Sequence, residues 1–167
     1  VVENDRAQRQ FYQMSEQLLF PEEMRVRDAL KWGRHFYDNW DMERAGHLLE
    51  VFGLDPKRKI HKLSTGYQSI AKAVVALCSG ASFIFFDEPV LGLDANHREL
   101  FYKEMIRLYA ETGCTIVLST HLIEEAADLI EHVIILHEGQ ILRDEATESI
   151  LASVWQISGP AEAVDAF

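Results

Sequence analysis

Two cysteines, Cys78 and Cys114, are too few for the disulfide framework that staples a small secreted domain. Neither has a second Cys or His at metal-ligand spacing, so both read as reduced thiols of a cytosolic protein. Prolines and glycines are sparse, which excludes a collagen-like or low-complexity chain. Positive charge is also short. The formal net charge is −11, and phosphate backbones are gripped by clustered Lys and Arg, so no nucleic-acid partner is expected. One basic cluster, Lys57, Arg58, Lys59 and Lys62 around His61, reads as a solvated loop. No apolar run approaches the roughly 20 residues that span a bilayer. No signal peptide is recognisable.

What is present is an apolar content of 48%, enough for one domain with a real core. "RQFYQM" at 9–14 reads as a short strand, followed by a polar loop through Glu23. Val26 to Tyr37 reads as a helix with Val26, Ala29, Leu30 and Gly33 on one face. Asp41 is an N-cap for a second helix, and Gly53 its stop. After the basic loop, Ile70, Ala73, Val74, Leu77 and Cys78 keep helical spacing from about Ser64 to Gly80. "FIFF" is a continuous apolar run, as in a strand buried on both faces. A helix to about Ala110, the strand "TIVLS", a helix over 122–130 and a third buried strand, "HVIIL", follow. A turn at "EGQ" then leads into "ILRD". Strands alternating with helices predict an α/β fold with a parallel sheet, carrying a mainly helical subdomain before Leu63.

The sharpest chemical signal is "FIFFDEPVLGLD". A buried strand ends in two adjacent acids, at the carboxyl edge where open parallel sheets bind ligands. Asp87 there can hold Mg²⁺, and Glu88 can polarise a water as general base. A lone Asp-Glu-Pro more often only caps a turn. "LSTGYQ" opens the preceding helix. Its start, with Ser64 and Gly66, presents free backbone N–H groups, a hydroxyl and the positive end of a dipole, although an ordinary Ser N-cap would look the same. "IVLSTH" places His121 past the next strand, at the same edge as Asp87 and Glu88.

Together, "LSTGYQ", "FIFFDEP", "LGLD" and "STH" resemble the ATP-binding cassette family in order and spacing, over essentially Phe11 to Asp144. They are similar to its signature motif, Walker B strand, D-loop and switch-histidine loop. The style resembles bacterial efflux ATPases. The resemblance implies a P-loop NTPase-type core with an incomplete parallel sheet, flanking helices and an inserted helical subdomain. It implies ATP and Mg²⁺ as cofactors, Asp87 on the magnesium, Glu88 as catalytic carboxylate and His121 on the γ-phosphate. It implies Asp94 as the D-loop acid at a dimer interface, with Ser64, Thr65 and Gly66 serving the nucleotide of the opposing subunit. The implied partners are a second ATP-binding subunit and transmembrane permease subunits at the cytoplasmic face of the membrane.

Departures accompany the likeness. Thr65 and Tyr67 replace the usual Gly and Gln of the signature, and Ile70 stands where many members have Arg. Ser15 and Glu16 lie where the Q-loop glutamine should fall, with Gln13 and Gln17 nearby. No G-x-x-x-x-G-K-[ST] occurs. The resemblance would put that phosphate loop upstream of Val1, as in an excised piece of a longer chain, and such a piece would bind ATP weakly. The expected division is 1–62 for the Q-loop region and helical subdomain, 63–153 for the second half of the core, and 154–167 for the start of a C-terminal extension. Two other readings stay open: a soluble cassette protein of translation or DNA repair, and a non-enzymatic interaction domain. The acidic charge and lack of sustained heptads argue against the first, and retained Glu88 and His121 against the second.

Overall fold

The computed structural model describes residues 4–153, and within them the chain divides after His121 into two compact units. The expected extension at 154–167 lies outside the described residues. In the first unit, α1 (Asp5–Gln8) leads into β1 (Phe11–Met14). Two helices follow, α2 (Val26–Phe36) and α3 (Met42–Val51). A 3-10 turn (Ile60–Lys62) precedes α4 (Thr65–Leu77), then come β2 (Phe83–Asp87), α5 (Ala95–Thr112) and β3 (Thr115–Ser119). The three strands form one parallel sheet in the order β1-β2-β3. Its register sets Met14 beside Phe86 and Asp87 beside Ser119.

The core lies on one face of this sheet. Met14, Ile84 and Phe86 are buried there, and Phe86 meets Phe101 of α5 edge to face at 5.2 Å. Across α4 the residues from Ser69 to Leu77 are all buried, because strands, α2, α3 and α5 surround it. The other sheet face is open. Phe11, Phe83, Phe85 and Val117 are each 37–45% exposed, and Phe11 stacks on Phe83 at 5.0 Å. "FIFF" therefore alternates between a covered and an uncovered face instead of being buried on both. An apolar run alone cannot reveal this, since both situations favour the same residues.

Helices α2 and α3 both pack on α4. The Asp41 carboxylate accepts the Arg44 backbone N–H at 2.8 Å, the N-cap the sequence predicts. Gly53 takes φ 60°, the left-handed conformation that lets the chain leave α3 without a Cβ penalty. Between α3 and α5, Arg44 pairs with Glu111 at 2.5 Å and His47 with the buried Glu104 at 3.2 Å.

The second unit holds α6 (Ile123–Ala126), β4 (His132–His137), β5 (Gln140–Ala146) and α7 (Thr147–Ser153). The helix expected over 122–130 is thus a single turn. "HVIIL" is not a third strand of the parallel sheet. It pairs antiparallel with β5 around a two-residue tip at Glu138 and Gly139, both at positive φ as such tight hairpins require. Ile134, Leu136, Ile141 and Leu142 are more than half exposed, so burial is not what this strand's composition signals.

Candidate functional site

Three of the residues picked from sequence meet at the carboxyl edge of the parallel sheet. β2 ends at Asp87, and the neighbouring strand ends at Ser119, whose hydroxyl donates to Asp87 Oδ1 at 3.2 Å. The next residue, Glu88, donates its backbone N–H to the Ser119 carbonyl at 3.0 Å and turns the chain away at φ 45°. A left-handed glutamate is strained, and such strain persists where the surroundings over-determine the backbone. The turn brings the Glu88 carboxylate onto His121. The His121 backbone N–H donates to Glu88 Oε1 at 3.1 Å, and Nδ1 lies 3.0 and 2.9 Å from the two oxygens. The Glu88 side chain is mostly covered, whereas the His121 ring stays largely open to solvent.

The start of α4 lies close by. Ser64 caps the helix, its hydroxyl accepting the Tyr67 N–H at 3.3 Å. Thr65 and Glu88 line one cleft of about 130 Å³, together with Glu16, Gln68, Ser69 and Lys72. A Cβ on Gly66 would lie 2.6 Å from the Gly92 carbonyl oxygen, so the "LGLD" turn packs directly on the opening turn of α4. Gly66 therefore has a packing reason to be glycine, independent of any ligand. Asp94 caps α5, accepting the His97 backbone N–H at 2.9 Å, and the His97 ring lies at the same distance from its carboxylate. These hydrogen bonds hold the Asp94 carboxyl below the usual carboxylate value. The His97 ring in turn meets Tyr67 edge-on at 5.6 Å and stacks with Phe52 at 6.5 Å. Asp94 thus belongs to a contact between α5 and α4, not to the lining of the cleft.

The two glutamines weighed for the Q-loop are both exposed, Gln13 within β1 and Gln17 just after it. The residue that sequence reasoning passed over is Lys72. Its side chain is largely covered, and its ammonium donates to the carbonyls of Ser15 at 2.9 Å and Glu16 at 2.7 Å. Burial pushes its pKa below the usual lysine value, while the charges of Glu16 and Asp87 favour the ammonium. The available signal was a lone cation inside the apolar run "SIAKAVVALC".

Residues 3–127 match the family described as "AAA domain, putative AbiEii toxin, Type IV TA system". Among curated proteins, the energy-coupling factor transporter ATP-binding protein EcfA2 of Enterococcus faecalis is 33% identical over 83% of this chain and 50% of its own. The glycine betaine uptake system ATP-binding protein YehX of Escherichia coli is 34% identical over 68% of this chain and 36% of its own. The chain thus spans half or less of the length of these relatives. Both belong to transport systems, and the second is named for uptake. Two solved structures share the fold. An ATP-binding subunit of an ABC transporter superposes with a TM-score of 0.79 at 23% identity, over 89% of this chain and 63% of that one. A dimeric ATP-binding cassette, bound to ADP and phosphate after hydrolysis, gives 0.74 at 22% identity, over 87% and 68%. By the family model over residues 3–127 the chain belongs to the AAA-type domains, and together with its relatives it is identified as part of an ATP-binding cassette ATP-binding domain, whose fold it shares with the two solved structures.

Proposed function

We propose that the protein carrying this chain is the ATP-hydrolysing subunit of a membrane transporter. Two ATP-binding subunits would close head to tail on ATP beneath transmembrane permease subunits, at the cytoplasmic face of the membrane. The observation that carries the proposal is the Glu88–His121 pair, set beside Asp87 at the ligand-binding edge of the sheet.

Glu88 is the general base in this reading. Its carboxylate is oriented by the His121 N–H and ring, so it can accept a proton from an attacking water without first searching for a rotamer. His121, largely exposed, would reach the terminal phosphate from the same edge. Asp87 fits magnesium. It is a hard oxygen donor with one oxygen oriented by Ser119. Among the described residues no group of three or more His, Cys, Asp or Glu could hold a metal unaided. That suits an ion which keeps waters and takes its other ligands from phosphate. When bound, magnesium neutralises charge on the triphosphate.

Ser64, Thr65 and Gly66 would serve the nucleotide of the opposing subunit. The first amides of α4 lack partners inside the helix and point outward with its positive end. Asp94 would lie at the interface between the two subunits. A protein partner on the helical side is supported by Trp32 and Phe36 of α2, which stack at 6.0 Å yet are each more than half exposed. Among the described residues no helix is long and apolar enough to cross a membrane.

Glu88→Gln in the full-length protein tests the assignment. The amide keeps size and one acceptor oxygen but cannot take a proton. Turnover should fall by about 10²-fold or more while the Kd for Mg-ATP stays within about twofold. An ATP-bound pair should accumulate on size-exclusion chromatography. Near wild-type hydrolysis would remove Glu88 from this role, and the mechanism with it.

A further inference from the structure

A polar stripe runs down one side of α4. Thr65, Ser69 and Lys72 are spaced i, i+4 and i+7, so they face one way, and all three line the cleft shared with Glu88. Each of the last two fastens a different loop. The Ser69 hydroxyl donates to the Leu91 carbonyl at 3.1 Å, holding the turn after β2 that carries Glu88. The Lys72 ammonium donates to the carbonyls of Ser15 and Glu16, holding the segment after β1. Two consecutive carbonyls in an extended chain point to opposite sides of the strand. Both can reach one ammonium only where the chain bends, so Lys72 holds a bend. The same bend is supported by the Ser15 hydroxyl, which accepts the Gln17 backbone N–H at 3.2 Å. It begins one residue past Met14, the last residue of β1 and the partner of Phe86, just as Asp87 is one residue past Phe86.

We infer that Lys72 is a positioning residue of the hydrolytic site: its ammonium clamps the bent segment Ser15–Glu16 to α4, so that the cleft wall across from Glu88 is set by the helix that carries Ser64, Thr65 and Gly66. The inference rests on the reading of Glu88 as the hydrolytic carboxylate. A buried lysine is a costly way to stabilise a helix, since desolvating an ammonium is offset only by well-placed acceptors. An apolar residue would pack α4 as well. What the ammonium adds is a link between two segments far apart in sequence. Any displacement of α4, such as closure against a second subunit, is passed to the segment after β1, and the cleft closes or opens as one body.

The test compares Lys72→Met, Lys72→Gln and Lys72→Arg in the full-length protein, with Glu88→Gln as the reference. Lys72→Met keeps the length of the stem and removes every donor. Lys72→Gln keeps two N–H donors on a shorter, uncharged stem and gives a second, weakened variant if the methionine protein does not fold. With the donors removed, kcat should fall about tenfold or more, because small misplacements at a reacting centre are costly, while KM for Mg-ATP moves less than about threefold. Backbone amides of Ser15 to Leu18 should exchange with deuterium about tenfold faster, whether or not nucleotide is present. Lys72→Arg keeps charge and donors and should recover most of kcat. An unchanged kcat in Lys72→Met overturns the inference, and so does a fall in kcat that leaves exchange at Ser15–Leu18 untouched. A kcat that merely follows melting temperature across all three variants also overturns it, because that marks a packing role. Loss of turnover in Glu88→Gln alongside normal turnover in Lys72→Met refutes only the clamp. Retained turnover in Glu88→Gln refutes the assignment on which it rests.

Discussion

Gly66 sits where any side chain would meet backbone. Its pro-Cβ position is 2.6 Å from the Gly92 carbonyl, and a carbonyl held in a turn cannot yield as a flexible side-chain end could. Gly66→Ala should therefore lower stability by about 1–3 kcal/mol, as overpacking does, before any nucleotide is added. Thermal melting of the nucleotide-free protein measures this, and a melting temperature equal to wild type would show that the two turns are free to part. The same contact complicates larger substitutions at this position. A loss of ATP-driven pairing in Gly66→Asp would combine a displaced "LGLD" turn with charge repulsion, so Ser64 and Thr65 are the cleaner probes of the helix terminus. At this scale the acids were legible and the geometry was not. Asp87, Glu88 and His121 stood out because their order follows the strand ends. The left-handed backbone of Glu88, the Gly66–Gly92 contact and the Lys72 bridge depend on residues distant in sequence, and no local pattern encodes them.

Among the elements, α5 gives the strand bearing Asp87 its floor. Phe101 is fully buried and meets Phe86 edge to face directly beneath the end of β2. Phe101→Ala should cost about 3–5 kcal/mol by removing that packing and leaving a cavity. Activity should fall further than the loss of folded protein explains, because the support of Asp87 and Glu88 goes with it. Urea unfolding read beside turnover per folded molecule separates the two effects, and proportional losses would show that the strand end does not rely on this ring. The helices α2, α3 and α4 were legible from periodicity and caps, as at Asp41 and Gly53. The strands were legible as strands only. "FIFF" and "HVIIL" look alike, yet one lies in a parallel sheet covered on one face and the other in an exposed antiparallel hairpin. Composition reports a preference for extended backbone. It does not report which faces are later covered or which partner a strand will find.

For the molecule as a whole, the open face of the parallel sheet is the feature most out of keeping with water. Phe11, Phe83, Phe85 and Val117 lie side by side there, and β1 and β3 are both edge strands within the described residues. This chain on its own should self-associate through that face, and Phe85→Ser combined with Val117→Thr should return it toward monomer in sedimentation velocity. A monomeric unmodified chain at high concentration would contradict the expectation. The parallel ladder has one more consequence, for how a gene of this kind can change length. Because Asp87 pairs with Ser119, and Glu88 receives His121 two residues later, a single codon gained within β3 would slide the strand end by about 3.3 Å and turn its side chains to the opposite face. Both acids would lose their partners in one step. The hairpin tip at Glu138–Gly139 carries no such ruler, so length variation should collect there and be purged from the run between Cys114 and His121.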